Sequence, residues 1–143
     1  MSTISAFTGK HRFLSNFYPC RVNLDGVVYP SVEHAYQAAK TVDPGERKTI
    51  REAATPGEAK RAGRTVTLRP GWCEDMQLKI MKKLLQQKFS SEPLKSLLLD
   101  TGDAELVEGN TWRDTFWGVC NGQGKNQLGH LLTCVRQELS RSK

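Results

Sequence analysis

Apolar positions recur at helical spacing in several parts of this chain, and these stripes set the first outline of its fold. Val32, Ala35, Tyr36 and Ala39 fall at i, i+3, i+4 and i+7, the pattern of a helix that turns one face toward a core. Ser31, just after Pro30, is suited to cap it. A longer stripe of Met76, Ile80, Met81, Leu84, Leu85 and Phe89, with lysines and glutamines opposite, predicts a central packing helix from Glu74 to Phe89. A helix opened by Ser and Pro follows over 92–100 and stops near Gly102. The last begins at Asn126 and turns Leu128, Leu131, Leu132, Val135 and Leu139 inward before a basic tail.

Shorter elements fill the gaps. Glu46 to Ala53 predicts a short, exposed helix. Thr55-Pro-Gly-Glu58 reads as a capping box with Pro56 at the first helical position and Gly63 as the stop. Near the N-terminus, Phe7, Phe13, Phe17 and Tyr18 precede Arg21–Tyr29, where the Asp25-Gly26 pair suits a two-residue hairpin turn that needs positive φ. The predicted fold is therefore mainly α with a small N-terminal β-hairpin. A chain of 143 residues without repeats, low-complexity tracts or a Pro/Gly/Ser-rich linker fits one domain over 1–143.

Charge narrows the partners. The formal net charge of +6, from 21 Lys and Arg against 15 Asp and Glu, favours an anionic partner such as a phosphate-bearing ligand or nucleic acid. Cys20, Cys73, Cys120 and Cys134 and the histidines His11, His34 and His130 are scattered without zinc-like spacing, so no metal is expected and the thiols are read as reduced. Met1-Ser-Thr-Ile-Ser has no basic stretch and apolar core of a leader, and no apolar run reaches the length of a membrane span. The expectation is a soluble, cytoplasmic protein.

Three constellations carry candidate chemistry. Steps of four and seven residues return to nearly the same side of a helix, so Glu33, Gln37 and Lys40 share the face opposite the apolar stripe, toward solvent or a cleft. An acid and an amine so placed are also an ordinary surface pattern. His34 lies about a hundred degrees around the helix from Glu33, which argues against a metal shared by the two, and is read as structural or as a support behind the site. In Trp112-Arg-Asp-Thr-Phe-Trp117-Gly118, indoles, a cation and a carboxylate crowd together, as suits a cleft that sandwiches a planar base, though tryptophans serve equally as core anchors. Asn121-Gly-Gln-Gly-Lys-Asn126 leads into the last helix; a plain turn is the favoured reading, and an anion site of loop and helix amides, with Lys125 and Arg113 near the phosphates, is the alternative.

Taken in order, Leu14-Ser-Asn-Phe-Tyr18, the Ser31–Lys40 segment, Leu106-Val-Glu-Gly-Asn-Thr-Trp112, Asp114, Phe116-Trp-Gly118 and Gly122-x-Gly-x-Asn126-x-Leu-Gly129 closely resemble the NADAR family. The similarity covers nearly the whole chain. It implies a compact, mainly α, YbiA-like fold and N-glycosidase activity on ribosylated nitrogen, with no metal or redox cofactor. Two substrate classes follow from it: phosphorylated riboflavin-pathway intermediates, and ADP-ribosylated guanine in a nucleoside or nucleic acid. By the same resemblance Glu33 matches a catalytic glutamate, Asp114 and Trp117 an acidic and an aromatic active-site residue, and Lys40 the lysine that closes the helical segment. Asn16, Phe17, Gln37, Asn110 and Trp112, with Arg113, Gly118, Lys125 and Asn126, are the implied substrate-binding residues.

N-glycoside cleavage passes through an oxocarbenium-like state that needs negative charge near C1. Glu33, at the second position of its helix, would be favoured as an anion by the helix dipole, while burial against Trp117 would favour the acid form. Lys40 offers a Schiff-base route, ranked below direct hydrolysis. The competing reading is a catalytically silent module that binds ADP-ribose or another nucleotide, against which Glu33 and Asp114 argue. A sequence-indifferent nucleic-acid binder ranks last, since the basic residues are dispersed.

Overall fold

A computed structural model describes residues 2–142 of the protein. In chain order the elements are β1 (Thr3–Ile4), a 3-10 helix (Gly9–Leu14), β2 (Val22–Leu24), β3 (Val27–Tyr29), α1 (Val32–Ala39), α2 (Pro44–Arg51), α3 (Pro56–Ala62), a 3-10 turn (Gly63–Thr65), α4 (Glu74–Lys88), α5 (Leu94–Leu99), β4 (Glu105–Leu106) and α6 (Gln127–Arg141). The fold is mainly α with short strands, as the periodicity predicts. Its contacts divide it into two compact units, residues 16–88 and residues 2–15 with 89–142. No described helix is long and apolar enough to cross a membrane.

The unit of residues 16–88 is built around α1. The β2–β3 hairpin pairs Val22 with Tyr29 and Leu24 with Val27, and Asp25 and Gly26 take φ of 53° and 88°, the positive values that a primed two-residue turn requires. Ser31 caps α1 by accepting from the His34 amide at 3.0 Å. Of the two expectations for the polar face of α1, open solvent is corrected here: all eight of its residues are buried. Ala35, Ala38 and Ala39 are small enough to let α2, α3 and α4 pack closely around it. Two arginines satisfy its C-terminal carbonyls. Arg47 Nε donates to Ala38 and Thr41 at 3.2 and 2.7 Å, and the Arg69 backbone amide donates to Lys40 at 2.7 Å.

Helix α2 starts before the expected Glu46, because Asp43 accepts from the Glu46 amide at 2.8 Å and Pro44 opens the first turn. Thr55 is the N-cap and Gly63 the C-cap as read, Thr55 Oγ1 accepting from the Glu58 amide at 3.1 Å, but the Glu58 carboxylate reaches one residue past the cap and accepts from the Ala54 amide at 3.0 Å. On α4, Met81, Leu84 and Leu85 are buried, but Met76 and Ile80 are only half-buried. They line a groove of about 520 Å³ beside Leu24 and Arg69. Lys88, on the face expected to be polar, is buried instead, with Nζ 5.8 Å from the centre of the Tyr18 ring.

In the other unit β1 and β4 pair in parallel, Thr3 opposite Glu105 and Ile4 opposite Leu106. Helix α6 packs against β4 and α5. Its buried stripe is Leu128, Leu132 and Val135; Leu131 and Leu139 are half-buried, and Arg136 takes an inner position where its guanidinium donates to Thr101 Oγ1 at 2.8 Å.

Candidate active site

Residues 16–88 gather Glu33, Gln37, Lys40 and Asn16. Glu33 is 8% exposed, at the second position of α1, and its backbone amide donates to the Asn16 carbonyl at 3.1 Å. Its Oε2 accepts a 2.6 Å hydrogen bond from Gln37 Nε2, one turn further along. A donor that close suits a carboxylate anion, and a charged acceptor makes such a bond short and strong. The Asn16 carboxamide donates to Met81 Sδ at 3.5 Å. Two buried acceptors, Asn16 Oδ1 and Gln37 Oε1, have no hydrogen-bond partner among the described residues. Buried side-chain oxygens are seldom left unpaired, and both of these belong to residues bonded directly to Glu33.

Lys40 is half-buried at the C-cap of the same helix, with Nζ 5.9 Å from the Tyr36 ring centre. Burial pushes its amine below the usual lysine range; the charge of Glu33 opposes that shift, and Lys60 and Arg64 reinforce it. A larger neutral fraction makes it a better nucleophile. Tyr36 also packs on Trp72, ring centres 5.8 Å apart and tilted by 49°. Trp72 was not among the expected site residues; its only sequence signal is its place after the Pro70-Gly71 turn. Phe17 is 43% exposed.

His34 is structural, as its position around the helix suggested. Nε2 lies 3.0 Å from the Ala53 carbonyl, which can only accept, so Nε2 carries a proton; Ser31 Oγ then donates to Nδ1 at 2.7 Å.

The remaining expected residues lie in the other unit, in a loop closed on itself. Asp114 Oδ1 accepts from the amides of Phe116 and Trp117 at 3.2 and 2.9 Å. Asn110 grips Asp114 from both sides, its Oδ1 accepting from the Asp114 amide at 3.0 Å and its Nδ2 donating to the Asp114 carbonyl at 2.9 Å. Gly118 is buried where a β-carbon would overlap the Glu108 carbonyl. Trp117 is half-buried, its ring edge-on to Phe116 with centres 4.8 Å apart, and Lys125 Nζ lies 5.8 Å from the Phe116 ring centre. Trp112 is 57% exposed, and Arg113 beside it has φ of 66°.

Around the glycine loop the hydrogen bonding favours the plain turn. The amides of Lys125, Asn126, Gln127 and Leu128 donate to the carbonyls of Thr115, Gly118, Phe116 and Trp117, and Gln123 pairs with Cys120 across the Asn121-Gly122 turn. Amides already bonded to carbonyls do not cradle phosphate. Asn126 is likewise engaged: Oδ1 accepts from the Glu108 amide at 3.0 Å and Nδ2 donates to the Leu106 carbonyl at 2.9 Å.

A profile described as NADAR domain matches residues 5–140. A riboflavin biosynthesis protein of Vibrio vulnificus is 39% identical over 133 residues, covering 90% of this chain and 36% of that longer protein. N-glycosidase YbiA of Escherichia coli is 40% identical over 130 residues, covering 88% of this chain and 80% of that one. The solution structure of Escherichia coli YbiA superposes with a TM-score of 0.84 at 35% identity, over 98% of this chain and 84% of that one.

Proposed function

This chain belongs to the NADAR family, and we propose that it is an N-glycosidase that hydrolyses the bond between a ribose C1 and a nitrogen. The observation that carries the reading is the buried Glu33 carboxylate, clamped by Gln37 and sharing its helix with a lysine of lowered pKa. The proposed substrate is a phosphorylated riboside. The names of the relatives support a riboflavin-pathway intermediate, and ADP-ribosylated guanine, free or in nucleic acid, is the second class. The net charge of +6 suits either anion, and a cytoplasmic setting fits both.

In this mechanism Glu33 acts as an anion. As the C1–N bond lengthens, positive charge spreads over C1 and the ring oxygen, and a fixed carboxylate in a water-poor site stabilises it more than water would. Water adds to C1, and the nitrogen leaves with a proton. Lys40 supplies the second route: its neutral amine adds to C1 of the opened sugar, the nitrogen leaves protonated, and water hydrolyses the resulting Schiff base to free lysine and the ribose aldehyde. Asp114 shapes its own loop by holding the amides of Phe116 and Trp117.

The test is mass-spectrometric product analysis of wild type and Glu33→Ala with ADP-ribosylated guanosine and, separately, a phosphorylated riboflavin precursor. Guanosine plus ADP-ribose, or pyrimidine amine plus ribose phosphate, identifies the substrate class. Glu33→Ala is expected to lose roughly 10²–10³-fold in kcat, the usual cost of one preorganised electrostatic group. Binding of both ligands without release of either base would instead make the protein a binding module.

A further inference from the structure

We propose that Gly63, at the end of α3, is a positioning residue for the reaction: its missing side chain is what lets the Gln37 carboxamide reach Glu33. The inference rests on the glycosidase reading for its kinetic consequence, but not for its geometry. A β-carbon at Gly63 would overlap Gln37 Oε1 and come within 2.8 Å of Gln37 Cδ and 3.1 Å of its Cβ. Every one of those close atoms belongs to Gln37. The backbone does not demand glycine, because φ −65° and ψ −17° are ordinary helical values open to any residue. The three nearest atoms that reserve the position all come from one side chain.

That side chain is held in an unusual way. The carboxamide is rigid and planar, so placing Oε1 places Nε2. At one end Nε2 donates to Glu33 Oε2 at 2.6 Å; at the other, Oε1 lies over the Gly63 backbone without a hydrogen-bond partner among the described residues. A glutamine kept only for packing would be better replaced by an apolar isostere, since an unpaired buried carbonyl is destabilising. Its retention beside a buried carboxylate is explained if the amide fixes which oxygen of Glu33 is engaged and how the carboxylate is turned. Any side chain at 63 would rotate the amide and release Glu33.

The prediction is a non-additive pair. Gly63→Ala is expected to lower kcat about 10- to 100-fold with little change in KM, the effect of displacing a reacting group by a fraction of an ångström to an ångström. Gln37→Ala is expected to do the same. In the Gln37→Ala background, Gly63→Ala should have little further effect, because the two atoms it would overlap, Oε1 and Cδ, are gone and only Cβ remains, at 3.1 Å. Gln37→Met keeps the bulk, removes the donor, and should be slow yet melt no lower than wild type, so the conclusion does not depend on whether Gly63→Ala folds well. A direct readout needs no substrate: in ¹⁵N-resolved NMR spectra the Gln37 carboxamide signals should move in both Gly63→Ala and Glu33→Ala. Unchanged kcat in Gly63→Ala, effects that multiply in the double variant, or Gln37 signals indifferent to Gly63→Ala would overturn the proposal. Absence of wild-type turnover would remove the glycosidase reading while the NMR arm still decides the geometry.

Discussion

Asn126→Ala separates a structural role from a ligand-binding one at a residue that the family resemblance implies for substrate binding. The side chain bridges strand and helix by accepting from the Glu108 amide and donating to the Leu106 carbonyl, at 3.0 and 2.9 Å, and it is 8% exposed. Alanine leaves both backbone groups without their partner in a largely dry place, at a cost of about 1–3 kcal/mol each. It also puts a residue less suited than asparagine at φ 51°, for about 1 kcal/mol more. The lower bound is about 3 kcal/mol, a large part of the 5–15 kcal/mol that holds a typical domain folded. For a chain of this length that is roughly a 10 °C fall in Tm. Asn126→Gly keeps the backbone conformation and isolates the two hydrogen bonds, so it should lose about two-thirds of that. Thermal unfolding followed by circular dichroism, with KM measured below the transition, is the assay. A Tm within about 3 °C of wild type, together with a raised KM, would refute the structural assignment.

Lys40 carries a stability signature as well as a chemical one. Between its lowered folded pKa and the ordinary lysine value, the unfolded chain binds a proton that the folded chain does not, so stability rises with pH across that window; below it the full penalty remains. Denaturant melts of Lys40→Met should lack that alkaline rise, and borohydride should trap a substrate adduct on wild type but not on Lys40→Arg if the Schiff-base route operates. Among the thiols, exposed Cys73 and Cys134 should alkylate quickly at neutral pH. Cys20, whose pKa burial raises while nearby Lys88 and a hydrogen bond from the Val32 backbone lower it, should lag well behind, as peptide mapping after iodoacetamide would show.

The parts legible in the sequence were those written in neighbouring residues. Asp25-Gly26 named its own turn, Ser31 and Thr55 their caps, and the four-residue step from Glu33 to Gln37 placed the two side chains that the structure joins. Periodicity gives the side of a helix but not what lies against that side, which is why the polar face of α1 reads equally as open to solvent or facing a cleft when it is buried. The β1–β4 pairing joins residues about a hundred positions apart and left no local trace, since two-residue strands are too short to show alternation. The glycine loop left two readings open because glycine marks both an anion cradle and a tight crossing of chains, and the observed donors favour the second. Lys88 and Arg136 defeat any rule that assigns charges to the surface.

The ladder between residues 115–118 and 125–128 bears on how this protein can change. Each amide of the second segment answers to a carbonyl of the first, so an added or deleted residue in either would shift several bonds together. Natural drift and directed evolution are thereby steered from length variation toward substitution at the side chains that the ladder leaves outside. Thr111, Trp112 and Arg113 sit at such an exposed tip, so a library randomised there samples new surface chemistry while the frame keeps its register.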